Sequence, residues 1–510
     1  MSRTKNAFRN TGWGLFQKVV TLLMPFITRT AIIKVLGVDY LGLSSLFGSI
    51  LSLLSLAELG ISGAIISSMY KPIAENDTDL ICALMQFYKK SYRIIGVVVT
   101  IVGLLLLPFL PYMIKGGTPS DINVYTLYII YLLNNALSYF LFAYKNCLFI
   151  AHQRNDINCK IQTVVLFAQS VLQLVLIILF KNYYCYAVVI PICSVLINLT
   201  TAHFANKYYP NYTCRGELPQ KEKNSLKQKV IGLLTANISS TIRSSVDSLF
   251  LSMFMGLSVV AMYSNYFYIA TAVAGFIQVL NSSLVAGVGN SLVTESVEKN
   301  YDDFLKFTFL LQWIVGWCAI CILCLEQPFM RIWVGEEYML KDLMVLLCSI
   351  YFFVNCIGLI RNVYTQALGM WWQLRFLSVI DIFVNTLLNY FLGRKFGPYG
   401  ILTATIVDIV FVSIPWTTYF LFKDFFGIKK YCGYIMLYIK YFFIMILTGE
   451  ITLFICNHIQ IRSSLLQLVI NGVVCIVIPN LIYLAIYKDS KYFKKILTSV
   501  RAHLKGGFTQ

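Results

Sequence analysis

Four basic side chains lie inside stretches that otherwise suit hydrocarbon. In "TLLMPFITRTAIIKVLG" (21–37) Arg29 interrupts an apolar run, and Lys18 stands eleven residues before it. Lys145 lies in "AYKNCLFIAHQ" (143–153) and Arg361 in "LIRNVYTQALG" (359–369). A cation at the centre of a bilayer costs at least about 2.5 kcal/mol. None of the four has an acid four residues away, so an ion pair within the same helix does not offset that cost. The set instead suits a hydrated cavity that attracts an anion. A guanidinium grips a phosphate through two parallel N–H donors, and an ammonium adds a point charge. Lys18 and Arg29 share a face, because eleven residues at ~100° each return to within ~20° of the starting direction. Pro25 lies between them as a kink.

A second group mixes signs. Arg243 precedes Asp247 by one turn in "TANISSTIRSSVDSLF", where Asn237, Ser240 and Ser244 extend a polar stripe. Glu58 stands in "LAELG", and Asp381 shares one helix face with Asn385 and Asn389. Asp408 is a further acid within an apolar stretch. These groups can contact a polar substrate. They can equally pair with each other and stitch a bundle together, Arg243 with Asp247 or Arg29 with Glu58 or Asp247. Lys440 and Glu450, near the ends of one segment, fit snorkelling to the surface.

Bond-making chemistry has no foothold. The chain lacks a Gly-rich phosphate loop followed by Lys and Ser/Thr, and no nucleophile stands in a Ser/His or Cys/His pattern. Its four histidines are scattered, and its fourteen cysteines fall mostly in apolar stretches. Even Cys318, Cys321 and Cys324 share one apolar helix without His or carboxylate neighbours, which reads as packing. No cofactor or metal is expected.

The elements that must position these groups follow from composition. Of 510 residues, 58% are hydrophobic and 13% charged, against about 25% charged in soluble chains. Apolar stretches of spanning length recur from end to end and predict an all-α integral membrane protein with about fourteen transmembrane helices. The second is expected over 41–69, the fourth over 122–150 and the last two over 433–456 and 463–487. With both termini inside, the loops on that side hold 27 of the 41 Lys and Arg and the opposite side 8, the asymmetry of a cytoplasmic face. The net charge of +18 then belongs beside anionic lipid, and no nucleic-acid partner is implied. "MSRTKNAFRN" leads into a full-length span without a small-residue cleavage site, so no signal peptide is expected.

A weak internal repeat organises the spans. Lys145–Asn146 aligns with Arg361–Asn362 at a shift of 216 residues, which also carries Tyr183 onto Tyr399 and Thr201 onto Thr417. The expected plan is an N-terminal six-helix lobe (1–206), a basic cytoplasmic linker (207–228), a second six-helix lobe (229–424), and two further helices with a basic tail (425–510). Both lobes start on the same side, so the repeat is parallel.

Three stretches carry a family likeness: "FQKVVTLLMPFITRTAIIKVLGVDYLGLSSLF", "LAELGISGAIISSMYKPIAENDTDLICALM" and "GLIRNVYTQALGMWW". They resemble the Wzx-type flippases of the multidrug/oligosaccharidyl-lipid/polysaccharide (MOP) exporter superfamily. That resemblance implies two six-helix lobes around a cavity that opens alternately to either side, plus two appended helices. It implies an undecaprenyl-diphosphate-linked oligosaccharide as substrate, flipped to the outer leaflet of a bacterial plasma membrane for capsule, O-antigen or related polysaccharide. Membrane lipids and a polysaccharide polymerase machinery are the implied partners of a monomeric protein. The substrate-binding set expected on this basis and from the charges is Lys18, Arg29, Glu58, Lys145, Arg243, Asp247, Arg361 and Asp381. Ser248 and Asp381 depart from the family pattern, which has Asn and Glu there. A cation-coupled drug antiporter of the same superfamily should carry acids rather than Lys18 and Arg29 on its first helix. A polysaccharide polymerase should carry a sizeable outward loop, and the segment 327–342 is short.

Overall fold

The computed structural model of the protein describes residues 3–370, 373–459, 461 and 463–506. Trp371 and Trp372 and the side chains of Asn237 and Ser240 lie outside the described residues. The described residues form helices and short connections and contain no strand. By internal packing the chain divides into two units, Met1–Ala261 and Met262–Gln510.

In the first unit, α1 (Arg3–Val35) lies along α7 (Asn155–Phe180). Between them in sequence come α2 (Val38–Leu54), α3 (Glu58–Glu75), α4 (Thr78–Leu105), α5 (Val124–Phe140) and the short α6 (Asn146–Ala151). Next come α8 (Tyr183–Tyr208), which packs on α5 and α7, and α9 (Gln220–Met255), which packs on α2 and α3. Asp77 caps α4 by accepting from the Leu80 amide at 2.9 Å, and Asn123 caps α5 through the Tyr125 and Thr126 amides. Such caps satisfy amides that have no partner within the helix. At the junction of α9 with α10 (Leu257–Thr294), Gly256 takes φ 94°, and a Cβ there would meet the Lys115 carbonyl oxygen at 2.8 Å. Only glycine fits both constraints.

The second unit takes most of α10 and is built around the 37-residue α11 (Val297–Trp333). Then follow α12 (Asp342–Ile357), α13 (Leu359–Ala367), α14 (Arg375–Phe396), α15 (Pro398–Asp408) and α16 (Ile414–Leu421). The two appended helices, α17 (Tyr431–His458) and α18 (Ser464–Tyr487), both pack on α11, and α19 (Lys491–Gly506) ends the chain. Trp313 Nε1 donates to Asn480 Oδ1 at 2.9 Å and Trp317 Nε1 to the Cys475 carbonyl at 2.8 Å, fixing α18 on α11. Lys491 and Lys495 of α19 both bind Asp302 of α11.

Burial is distributed as in a membrane protein. Leu179 of α7 is 69% exposed and Phe383 of α14 68%, whereas Asp156, Asn300 and Asp408 are fully buried. Apolar outside with polar groups inside is the pattern that a hydrocarbon solvent imposes. Among the described residues nine helices are long and apolar enough to cross a membrane, or eleven if two bent pairs each count as one span. Every one of the fourteen expected segments is helical. The segments outside the eleven are α1, α2 with α3, and α9, which carry charges or breaks.

Two breaks depart from the expected continuous helices. The segment 41–69 is interrupted at Ser55–Ala57, so that Glu58 opens α3. The segment 122–150 bends by 52° between α5 and the turn leading into α6, where Phe142 adopts φ 61°. In the second unit Gly358 separates α12 from α13. Phe142 and Gly358 differ by the same 216 residues as Lys145 and Arg361.

The tightest helix contact is at Gly400, where a Cβ would lie 2.0 Å from the Leu392 carbonyl oxygen of α14. Because the obstacle is backbone, Gly400→Ala must push α14 and α15 apart. It is expected to cost about 1–3 kcal/mol. A melting curve in detergent that matches the wild type would remove this contact from the account of stability.

Candidate functional site

In the first unit, α1 carries both cations that opened the sequence argument. Lys18 and Arg29 are half-buried. Thr28 beside Arg29 donates to the Pro25 carbonyl at 3.2 Å, one of the local bonds that accommodate a proline within a helix. Tyr186 of α8 lies near this point, within electrostatic range of Arg29. The Arg29 surroundings therefore combine a guanidinium, a phenol and a hydroxyl.

The foot of α1 is fastened by a group that sequence reasoning missed. Asp156, fully buried in the first turn of α7, receives Arg9 of α1 at 2.9 Å, Arg154 at 3.1 Å and Lys160 at 3.8 Å. Asn10 completes the clamp, accepting from the Asp156 amide at 2.9 Å and donating to the Gln153 carbonyl at 3.0 Å. An acid at the start of a helix, four residues before Lys160, is the signal that could have found it.

Glu58 sits in a phenol cage. Tyr92 donates to Oε1 at 2.7 Å and Tyr139 to Oε2 at 2.8 Å, and Tyr88 donates to the Tyr92 hydroxyl at 2.9 Å. These bonds tie the start of α3 to α4 and α5. Glu58→Gln offers an amide N–H to one of the phenols in place of an acceptor. It is expected to lower stability by about 1–3 kcal/mol, read as a melting shift. An unchanged melting temperature would show that the cage contributes nothing.

Lys145 lies in the turn after the break, bonded to Asn206 Oδ1 and 5.5 Å from the Phe142 ring centroid. Arg243 of α9 contacts Ser239 at 3.5 Å, and Asp247, one turn on, is 2% exposed.

In the second unit, Arg361 is 4% exposed, and its Nη1 donates to the Ile414 carbonyl and to Thr418 Oγ1, both at 3.3 Å. Gly358 makes room for it, since a Cβ there would meet Nη2 at 2.8 Å. The expected polar face of α14 is present and buried. Asn389 donates to Asn385 at 3.1 Å, Asn385 donates to Thr405 of α15 at 3.3 Å, and Asp381 and Asp408 are 5% and 0% exposed. Within the first unit Lys18 and Arg29 stand on α1, Glu58 in its cage, Lys145 after the break, and Arg243 and Asp247 on α9. Within the second, Arg361 and Asp381 lie on different helices.

A long apolar helical bundle with buried polar faces and interrupted helices defines a multi-pass membrane protein. Residues 7–285 match the model of the polysaccharide biosynthesis protein family, and the chain belongs to that family. No curated protein matches the chain in sequence. Among solved structures, the lipid II flippase MurJ in its inward closed conformation superposes with a TM-score of 0.68 at 15% identity, over 94% of this chain and 99% of that one. An inward-facing multidrug resistance MATE family transporter of the MOP superfamily gives 0.61 at 15% identity over 83% and 96%. A MOP superfamily transporter from Pyrococcus furiosus, described as having a binding pocket of reverse polarity, gives 0.54 at 13% identity over 84% and 96%.

Proposed function

We propose that the protein flips an undecaprenyl-diphosphate-linked oligosaccharide from the inner to the outer leaflet of a bacterial plasma membrane by alternating access, with both termini cytoplasmic. The observation that carries this reading is the sign of the charge on α1. Lys18 and Arg29 stand on one helix face, in a chain of the polysaccharide biosynthesis family whose fold matches a lipid II flippase. Two cations on one face suit a diphosphate and repel a cationic drug or a coupling cation. The reading groups 1–206 and 229–424 as the two repeat lobes, joined by the linker at 207–228 and followed by two helices and a tail over 425–510. It assigns Lys18, Arg29 and Arg361 to the diphosphate and keeps Glu58, Lys145, Arg243, Asp247 and Asp381 in the wider substrate-binding set. The protein acts as a monomer beside the polymerase that consumes the flipped unit.

Reconstitution tests it. Vesicles containing the purified protein and a fluorescent undecaprenyl-diphosphate saccharide in one leaflet should show protein-dependent transfer to the other, read with a membrane-impermeant quencher. Transport of a cationic dye in such vesicles, with no movement of the lipid-linked saccharide, would replace the flippase reading with that of a drug antiporter.

A further inference from the structure

Cys324 of α11, Cys456 of α17 and Cys475 of α18 bring their three sulfurs within 4.8 Å of one another. They are 2%, 2% and 0% exposed. Cys321 stands one turn before Cys324 on α11 and lines the neighbouring cavity. The expectation of simple packing rested on one helix, whereas the thiols converge from three. A cavity of about 330 Å³ opens beside them, lined by Cys318, Cys321, Glu326, Ile269, Val273 and Phe329. Glu326 is 2% exposed, and neither of its carboxyl oxygens has a hydrogen-bond partner among the described residues. A buried carboxyl group without a partner carries a desolvation cost that an incoming cation would relieve.

We infer that Cys324, Cys456 and Cys475 form a binding site for a soft monovalent metal ion, Cu(I), which enters through the cavity past Glu326 and Cys321. Thiol ligands select soft ions. Three sulfurs complete a trigonal shell for Cu(I), whereas structural zinc takes four ligands and iron–sulfur clusters are held by four cysteines. Each sulfur that binds as a thiolate loses its S–H proton to solvent as its Cu–S bond forms, and the oxidation state of the metal does not change. The bound ion would pin α17 and α18 to α11, and an ion that binds only the folded form raises its stability.

Anaerobic titration of the purified full-length protein with Cu(I), against a chromophoric Cu(I) chelator, tests the site. One equivalent should be withdrawn from the chelator, and the melting temperature should rise with it. Cys475→Ser and Cys456→Ser should each weaken that equivalent at least tenfold, while Cys432→Ser, at an exposed position, should leave it unchanged. Metal-free melting curves show whether each variant is folded, and the two variants on different helices guard against one failing to fold. Failure of the wild type to compete with the chelator would overturn the inference. So would uptake unchanged in both variants, a preference for Zn(II) over Cu(I), or a disulfide among the three cysteines in the protein purified without reductant.

Discussion

Arg29→Ala is expected to abolish flipping while leaving the protein inserted and folded. If Arg29 meets the diphosphate, its loss removes a charge-assisted contact worth about 3 kcal/mol, on the order of a hundredfold in binding. The half-buried guanidinium also carries a desolvation cost, so its removal should leave the melting temperature steady or raise it. Arg29→Lys should recover part of the activity, because the charge remains while the two-pronged donor geometry is lost. A structural role predicts the opposite pattern. An acid stranded by the loss of Arg29 would lower stability, and removing that acid as well would restore it. Glu58 is a poor candidate for such a partner, since both of its carboxylate oxygens already accept from Tyr92 and Tyr139. The measurement is flipping in vesicles alongside detergent melting for Arg29→Ala, Arg29→Lys and Arg29→Ala/Glu58→Gln. Normal flipping by Arg29→Ala would end the diphosphate assignment, whatever the melting curves show.

The class of the protein was legible because a membrane makes a one-dimensional demand: about twenty apolar residues in a row. The 216-residue shift that aligns Lys145 with Arg361 was readable for a similar reason, since it rests on order and spacing alone. Neighbours brought together from distant segments were not. Nothing near Glu58 announces Tyr92 and Tyr139, which lie 34 and 81 residues away. Cys324 is far from Cys456 and Cys475 in the chain, and only the docking of α17 and α18 on α11 brings their sulfurs together. The break at Phe142 also gave no warning, because the residue in the left-handed conformation is neither glycine nor asparagine. Its counterpart at Gly358 did carry a signal, a glycine inside an apolar run. The space that it leaves accommodates the Arg361 guanidinium.

The largest loss of stability is expected at Asp156. This carboxylate is fully buried, and three cations converge on it from α1, α7 and the turn that precedes α7. Truncation to alanine leaves Arg9, Arg154 and Lys160 facing one another around an empty site. Removing one partner of a buried ion pair costs about 3–5 kcal/mol. The low end applies here, because the side chains of Arg9 and Arg154 remain 23% and 24% exposed and Lys160 is 43% exposed, so water can reclaim part of their charge. Asp156→Asn should cost less than alanine. It keeps an oxygen for the Arg154 Nε and leaves the bonds of Asn10 to the neighbouring backbone in place. Adding Arg9→Ala to Asp156→Ala should recover part of the loss, because fewer uncompensated charges remain, and this coupling separates an ion-pair clamp from a simple packing defect. The consequence for transport follows from geometry. The clamp fixes one end of α1 on α7, and the same helix presents Lys18 and Arg29 further along. A folded Asp156→Asn protein should therefore bind the lipid-linked saccharide with reduced affinity even though Asp156 lies away from Arg29 along the helix. Melting curves for Asp156→Ala, Asp156→Asn and Asp156→Ala/Arg9→Ala decide the matter. Equal melting temperatures for the wild type and Asp156→Ala would mean that α1 is held on α7 by apolar packing alone.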